Sequence, residues 1–125
     1  MPDKKQVLII EDDRFLSSIM KARLDKDGFS VVQAFNGEEA VNFLKQNKPN
    51  LIVLDLIMPR VSGFEVLQHI SLDPNLNQIP VIILSNLAQE SDIKKARELG
   101  AVDYFVKIKV SIDDLIKRIE NILVH

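Results

Sequence analysis

The chain has 125 residues, of which 46% are hydrophobic and 27% charged, and its formal net charge is -2. This is the size of one domain, and the small negative charge gives no indication of binding to nucleic acid or to an anionic membrane surface. The sequence contains no cysteine, which excludes disulfides and thiolate metal sites and is compatible with a reducing compartment.

The N-terminal segment, Met1 to Gln6, is charged and leads directly into an apolar run, without the apolar core of a signal peptide. No apolar run approaches the ~20 residues needed to span a bilayer. We therefore expect a cytoplasmic protein. We also expect residues 1–125 to form one domain, with no linker and no output domain.

Short apolar segments alternate with segments of helical periodicity along the chain. The apolar segments predict strands, at 7–10, 30–34, 51–54, 80–84 and 104–106. The segments of helical periodicity predict helices, at 14–26, 37–46, 62–72, 89–99 and 111–123. Five such βα units predict an α/β fold, a doubly wound parallel sheet with helices on both faces.

The glycines and one serine fall where these helices should begin or end. Gly28 and Gly100 follow the first and fourth helices, where a residue with positive φ is favoured. Gly37 and Gly63 lie at the starts of the second and third helices. Ser111 precedes the fifth helix and has an aspartate three residues later, which resembles a capping box.

Carboxylates follow two of the predicted strands. The strand at 51–54 is entirely apolar, which is typical of a strand buried on both faces, and it runs into Asp55. The first strand runs into Glu11, Asp12 and Asp13. We expect the second strand to flank the first on the outside, which gives the strand order 2-1-3-4-5. The order then reverses between the first and third strands, and sites in such sheets form at this point.

The fourth strand is followed by Ser85 and the fifth by Lys107, at the same edge of the sheet. Several carboxylates at one place repel one another unless one is protonated or a cation lies among them. Oxygen ligands without histidine or cysteine suit a hard cation such as Mg2+. Lysine and serine suit the oxygens of a phosphoryl group, and a carboxylate can be the nucleophile in phosphoryl transfer. Asp55 is the best candidate because it is central.

At this point the chain resembles a response-regulator receiver domain of two-component signal transduction over its full length. The matching motifs are Ile10-Glu11-Asp12, Asp55-Leu-Ile-Met58-Pro59 with Gly63 four residues later, Leu84-Ser85, and Gly100-Ala-Val-Asp-Tyr104-Phe-Val-Lys107. The resemblance implies the flavodoxin-like (βα)5 fold with strand order 2-1-3-4-5.

The resemblance also implies the chemistry of the site. Asp55 would accept a phosphoryl group from a histidine kinase or a histidine phosphotransfer protein. Asp12 and Asp55 would bind Mg2+ together with the backbone carbonyl of Ile57, and Glu11 would act through water.

The resemblance further implies a switch that changes the binding of a downstream protein target. Ser85 would turn toward the phosphoryl group, Lys107 would pair with it, and Tyr104 would move inward.

One departure from the family is Ile108, where receivers usually have a proline joined by a cis bond. A cis bond costs a non-proline residue ~3–4 kcal/mol, so we expect a trans bond here. That leaves the placement of Lys107 open, since Lys109 could point to the same side.

The first helix carries more apolar residues than a core-facing stripe requires. They are Phe15, Leu16, Ile19, Met20 and Leu24, and they span roughly half of its circumference. Two interpretations stand equally. All five lie in or beside the core, or Phe15 and Ile19 help to form a docking patch for a partner helix.

Two further classes of function compete with a stand-alone signalling receiver. A flavodoxin-like module that binds a nucleotide or a flavin would favour a neutral phosphate loop after the first strand, where this chain has acids. A small Mg2+-dependent phosphohydrolase would use the same carboxylates but would turn over a phosphomonoester. We favour the receiver, which is not an enzyme in the sense of turning over a substrate.

Overall fold

The computed structural model describes residues 4–124, so the first three residues of the charged N-terminal segment and His125 lie outside the described part. The strands are β1 (Gln6–Ile10), β2 (Ser30–Ala34), β3 (Leu51–Leu54), β4 (Val81–Ser85) and β5 (Asp103–Val106). The helices are α1 (Arg14–Lys26), α2 (Gly37–Leu44), α3 (Gly63–Leu72), α4 (Glu90–Glu98) and α5 (Ile112–Val124).

The strands form one parallel sheet in the order β2-β1-β3-β4-β5, which confirms the predicted fold class and strand order. The register pairs Ile10 of β1 with Leu54 of β3. The residues that follow these two strands therefore leave the sheet side by side.

Alternating side chains of the sheet divide the core into two layers. Leu8 and Ile10 of β1 pack with buried residues of α2, α3 and α4. Val7 and Ile9 pack on the other face with buried residues of α1 and α5. Because both faces are covered, β3 is apolar at every position, as are Val7–Ile10 of β1 and Val81–Leu84 of β4, which is expected for a parallel sheet.

The element boundaries differ from the predicted ones by one or two residues. α2 ends at Leu44 rather than at residue 46, because Lys45 is already its C-cap. β4 begins after Pro80, which has no N–H to contribute to the ladder. The predicted first residues of three helices are N-cap or preceding residues outside the helix: Ser62, Gln89 and Ser111.

The cap predicted at Ser111 and the positive φ predicted at Gly28 and Gly100 are confirmed, and the structure also shows a cap at Asp13. The side chain of Asp13 accepts hydrogen bonds from the N–H groups at the start of α1, and Ser111 Oγ accepts one from the N–H of Asp114 at 3.1 Å. Gly28 and Gly100 have φ values of 93° and 105°. Within residues 4–124, none of the helices has the length and apolar character of a bilayer-spanning segment.

Candidate functional site

The acids that follow β1 and β3 meet at one edge of the sheet. The N–H of Asp55 donates to the carbonyl of Ile10 at 3.0 Å, which carries the pairing of the two strands up to the site. Glu11 and Asp55 are buried, whereas Asp12 is exposed. One carboxylate oxygen of each of these three acids lies within 4.8 Å of the others. The predicted acidic cluster is therefore present.

Lys107 points into this cluster, although it precedes Ile108 rather than a proline. Its Nζ lies 3.0 Å from Asp55 Oδ2 and 2.7 Å from Glu11 Oε1. Peptide bonds in residues 4–124 are all trans, including the one between Lys107 and Ile108. The N–H of Lys107 donates to the carbonyl of Ser85 at 3.0 Å, so the sheet register positions the side chain. Lys109, the second candidate for this position, is exposed.

In this cluster, burial and ion pairing shift the pKa values of Glu11 and Lys107 in opposite directions. Burial raises the pKa of Glu11 to about 7, with a further increase from the charge of Asp55, and the ammonium group of Lys107 only partly opposes it. Burial by itself lowers the pKa of Lys107, but its pairing with Glu11 and Asp55 outweighs this effect and raises it. The site therefore keeps a lysine charged beside a carboxyl group that titrates near neutrality.

The donor atoms fit a hard divalent cation. Glu11 Oε1 is buried and faces Lys107 Nζ at 2.7 Å, in an ion pair without the angles of a hydrogen bond. One ammonium group cannot balance three carboxylates that lie together, so the cluster favours a further cation. Three converging carboxylates with no nitrogen or sulfur ligand match the preference of Mg2+ for oxygen.

The loop between Asp55 and α3 is tightly constrained. The N–H of Ile57 donates to Asp55 Oδ1 at 3.2 Å. Further along, the N–H of Val61 bonds the carbonyl of Pro59 at 2.9 Å and closes a γ-turn around Arg60, whose φ is 68°. Arg60 is the only non-glycine residue with positive φ in the part of the chain that the structure describes. Sequence reasoning missed this turn, because an arginine gives no signal for a left-handed conformation.

Ser85 and Tyr104 lie beside the cluster and share a contact. Ser85 is fully buried, and its Oγ accepts the N–H of Leu87 at 3.3 Å. The hydroxyl of half-buried Tyr104 donates to the carbonyl of the same Leu87 at 2.7 Å. Burial, followed by the charges of Asp92 and Asp55, raises the pKa of Tyr104 above its ordinary value of 10. The two predicted switch residues therefore hold opposite ends of one residue.

Exposed apolar side chains lie near the same three strands that supply the charged residues. Phe15 near the start of α1 is 75% exposed, Ile57 after β3 is 53% exposed and Ile108 after β5 is 80% exposed. Met20 and Leu24 of α1 are buried. The interpretation that places every apolar residue of α1 in or beside the core is therefore wrong for Phe15, which is free to contact a partner.

The raised pKa of Glu11 predicts how the stability of the metal-free protein depends on pH. Its pKa in the folded state is about 7, above the ordinary value of 4.5. The folded state therefore binds this proton more tightly, and the resulting stabilisation is complete at low pH and lost as the pH rises toward the folded-state value. Between about pH 5 and about pH 8, this loss amounts to roughly 2 kcal/mol of unfolding free energy.

The measurement is urea unfolding across this pH range in EDTA, for the native chain and for Glu11→Gln, which does not titrate at this position. The native chain should lose more stability than the variant as the pH rises. Parallel pH profiles would contradict the assignment to Glu11.

The chain is similar to known signalling proteins. The model of the family described as response regulator receiver domain matches residues 7–120. "Protein PilH" of Pseudomonas aeruginosa is 33% identical over 118 residues, which cover 94% of this chain and 97% of that protein. The solved structure of the Mn2+-bound form of response regulator Rcp1 has a TM-score of 0.82 and 31% identity, and the match covers 94% of this chain and 91% of that one.

Some relatives are longer. The "Probable transcriptional regulator ycf27" of Porphyridium aerugineum is 38% identical over 120 residues, which cover 96% of this chain and 48% of that protein. The chain thus spans about half the length of the curated relatives of this kind. The family match nevertheless covers nearly all of residues 4–124. The chain therefore belongs to the response regulator receiver domains, the phosphoacceptor signalling domains of two-component systems.

Proposed function

We propose that Asp55 is the phosphoacceptor and takes its phosphoryl group from a histidine kinase or a histidine phosphotransfer protein. The observation that carries this proposal is the position of Asp55. Its carboxylate is buried at the centre of the site, with Lys107 at 3.0 Å and the acids of β1 beside it. An Asp55 oxygen would form the new bond to phosphorus as the bond from phosphorus to the donor's imidazole nitrogen breaks, and the leaving imidazole takes up a proton.

We further propose that Asp12, Asp55 and the carbonyl of Ile57 hold Mg2+, with Glu11 acting through water. The converging carboxylates, which outnumber the single ammonium group of Lys107, support this set. The cation would supply positive charge beside the phosphoryl oxygens. The family resemblance, and not a distance, supports the Ile57 carbonyl as a ligand.

The test is incubation with acetyl phosphate and Mg2+, followed by intact mass spectrometry. We expect one phosphoryl group per chain, and we expect EDTA to suppress it. A mass that does not change in the presence of Mg2+ would contradict the proposal. Turnover of a generic phosphomonoester far beyond one equivalent would instead favour the phosphohydrolase.

The family match does not favour a nucleotide- or flavin-binding module. Such a module would need to place phosphates beside Glu11 and Asp12, where the charges repel them. We propose that the signal passes through protein contacts rather than by direct binding to DNA or to a membrane. The regulator named for transcription is about twice as long as this chain.

We propose that the phosphodonor docks on an apolar ring formed by Phe15, Ile57 and Ile108, which lie in the segments that follow β1, β3 and β5 at the edge of the sheet that carries Asp55. A helix that presents a phosphohistidine needs apolar contact close to the acceptor, and these exposed side chains provide it. Ile19 of α1 is half-buried and can contribute only an edge to this ring.

Phe15→Ala should separate docking from chemistry. Transfer from a phosphorylated histidine phosphotransfer protein should slow by about tenfold, because an exposed aromatic anchor is lost. Phosphorylation by acetyl phosphate, which needs no docking surface, should stay at the native rate. The comparison is made by following adduct formation with both donors. An equal loss with both donors would place Phe15 in the chemistry and contradict a docking role.

We propose that phosphorylation changes the surface around Ser85 and Tyr104, which binds the downstream protein target. The phosphoryl oxygens would accept the Ser85 O–H, and a turn of the side chain toward them would strain the 3.3 Å bond in which Ser85 Oγ accepts the N–H of Leu87. Because Leu87 is also held by Tyr104, a change at Ser85 reaches the tyrosine through one residue.

The phosphoryl group should be long-lived. Hydrolysis needs a water held in line with phosphorus, and by resemblance Ile57 and Leu87 flank that approach. Neither side chain can hydrogen-bond a water, and both can shield the phosphoryl group. The double variant Ile57→Asn, Leu87→Glu, which offers groups that can orient water, should lose the phosphoryl group about tenfold faster or more. The measurement is adduct decay after donor removal, with Mg2+ present. Equal decay rates would show that the two side chains do not shield the phosphorus.

A further inference from the structure

Arg14 lies close to the acidic cluster in the sequence but does not pair with it. It is the first residue of α1 and follows Asp12 and Asp13 directly. Consecutive Cα atoms are about 3.8 Å apart, so the long side chain of Arg14 is able to reach the carboxylate of Asp12, two residues earlier. Among residues 4–124, however, the ion pairs do not include Arg14. Another contact therefore holds its charge.

The guanidinium group of Arg14 lies over the ring of Phe35. Its Cζ is 4.0 Å from the ring centroid, within the range of a cation–π interaction. Phe35 directly follows β2, which lies on one side of β1, whereas β3 lies on the other side and leads into Asp55. The contact therefore ties the guanidinium group to the segment after β2, on the side of β1 away from the strand that leads into Asp55.

The backbone around Phe35 is held in place by hydrogen bonds. The N–H of Phe35 donates to Glu39 Oε1 at 2.6 Å, and the N–H of Glu39 donates to Asn36 Oδ1 at 2.8 Å, an arrangement close to a capping box at the start of α2. The N–H of Glu11 also donates to the carbonyl of Ala34 at 3.0 Å, which extends the pairing of β1 with β2 up to the residue before Phe35. The half-buried ring is therefore a fixed platform for an exposed side chain.

This arrangement leaves the carboxylate of Asp12 available. Asp12 is exposed, and within the described part of the chain its carboxylate forms no ion pair with a lysine or an arginine. A carboxylate that is paired with an arginine has to give up that pair before a metal ion binds it. An arginine two residues away therefore competes with a cation for Asp12 unless its guanidinium group is held elsewhere.

We propose that Phe35 is a positioning residue for the cation site: by holding the guanidinium group of Arg14, it keeps the carboxylate of Asp12 available for Mg2+. This inference rests on the proposed Mg2+ site. Removal of the ring releases the guanidinium group, which then pairs with Asp12 for part of the time, and the cation has to displace it.

The test is an NMR titration with Mg2+ alone of the native chain, Phe35→Leu, Arg14→Gln and the double variant, at one ionic strength. Phe35→Leu keeps an apolar side chain and removes the aromatic face. It should raise the Kd for Mg2+ by about two- to fivefold, the range that corresponds to competition by one exposed ion pair. In the Arg14→Gln background, the same substitution should leave the Kd unchanged, because there is no guanidinium group to release.

Phe64→Leu is the matched control. The ring of Phe64 on α3 is also half-buried and also lies under a cation, Lys95 Nζ of α4, at 4.3 Å from its centroid. Its removal should leave the Kd for Mg2+ at the native value. An unchanged Kd in Phe35→Leu would overturn the proposal. An equal rise in the presence and absence of the Arg14 guanidinium group, or an equal rise in Phe64→Leu, would overturn it too, since each would show a general loosening of the fold.

Failure of the proposed function would look different, because Mg2+ would then shift no amide signals of the native chain near Asp12 and Asp55. A metal-free measurement tests the positioning step by itself. Protons over the face of an aromatic ring resonate upfield, so the side-chain δ protons of Arg14 should lie upfield of their ordinary position in the native chain and in Phe64→Leu, and should return to it in Phe35→Leu. Arg14 signals at their ordinary position in the native chain would contradict the proposal.

Discussion

Gly63→Ala should destabilise the fold by about 3 to 5 kcal/mol, a large part of the stability of a domain of this size. A Cβ at this position would overlap the carbonyl oxygen of Asp55 and lie 2.5 Å from Leu56 Cα. These atoms are backbone atoms and cannot rotate away as a flexible side chain can. The N–H of Gly63 also bonds the carbonyl of Leu56 at 3.0 Å, so the two segments are held at this separation.

Gly28→Ala is the matched control for this substitution. Gly28 has a φ of 93°, but a Cβ there would meet no atom within 4 Å. The same change should therefore cost only the penalty of a left-handed conformation, about 1 kcal/mol. The measurement is urea unfolding followed by circular dichroism. If Gly63→Ala is no less stable than Gly28→Ala, the close contact with the backbone of Asp55 is not a constraint on the fold.

The strand order and the acidic cluster could be predicted because they depend on local patterns. The apolar segment before Asp55 marks a buried central strand, and the parallel order follows from the alternation of strands and helices. These two features alone bring Glu11 and Asp55 together at the edge where β1 and β3 end.

The placement of Lys107 could not be settled from the sequence. The missing proline left open how the chain turns after β5, and sequence patterns do not determine that turn. In the structure, the hydrogen bond from the N–H of Lys107 to the carbonyl of Ser85 continues the pairing of β4 with β5 beyond the last paired residue, Val106. The lysine therefore reaches Asp55 with a trans bond before Ile108.

Some features depend on contacts between residues that are distant in the sequence. The bond from Tyr104 to Leu87 and the buried pairing of Glu11 with Lys107 follow from the packing of whole elements, and no local pattern predicts them. The left-handed Arg60 is a local feature, but it contradicts the intrinsic preference of its residue type.

The phosphoacceptor assignment gives the largest functional effect, since Asp55→Asn should abolish adduct formation completely. The amide keeps the size of the side chain and loses the anionic oxygen that attacks phosphorus. Asp13→Asn is the matched control. It makes the same chemical change two residues after Glu11, at a side chain that caps α1, and asparagine caps a helix as well as aspartate does.

The most direct measurement is intact mass spectrometry of the native chain, Asp55→Asn and Asp13→Asn after incubation with acetyl phosphate and Mg2+, with peptide mapping of any adduct. We expect one phosphoryl group on the native chain and on Asp13→Asn, mapped to the peptide that contains Asp55, and none on Asp55→Asn. A phosphoryl group that persists in Asp55→Asn, or that maps to Asp12 in the native chain, would contradict the assignment of Asp55 as the phosphoacceptor.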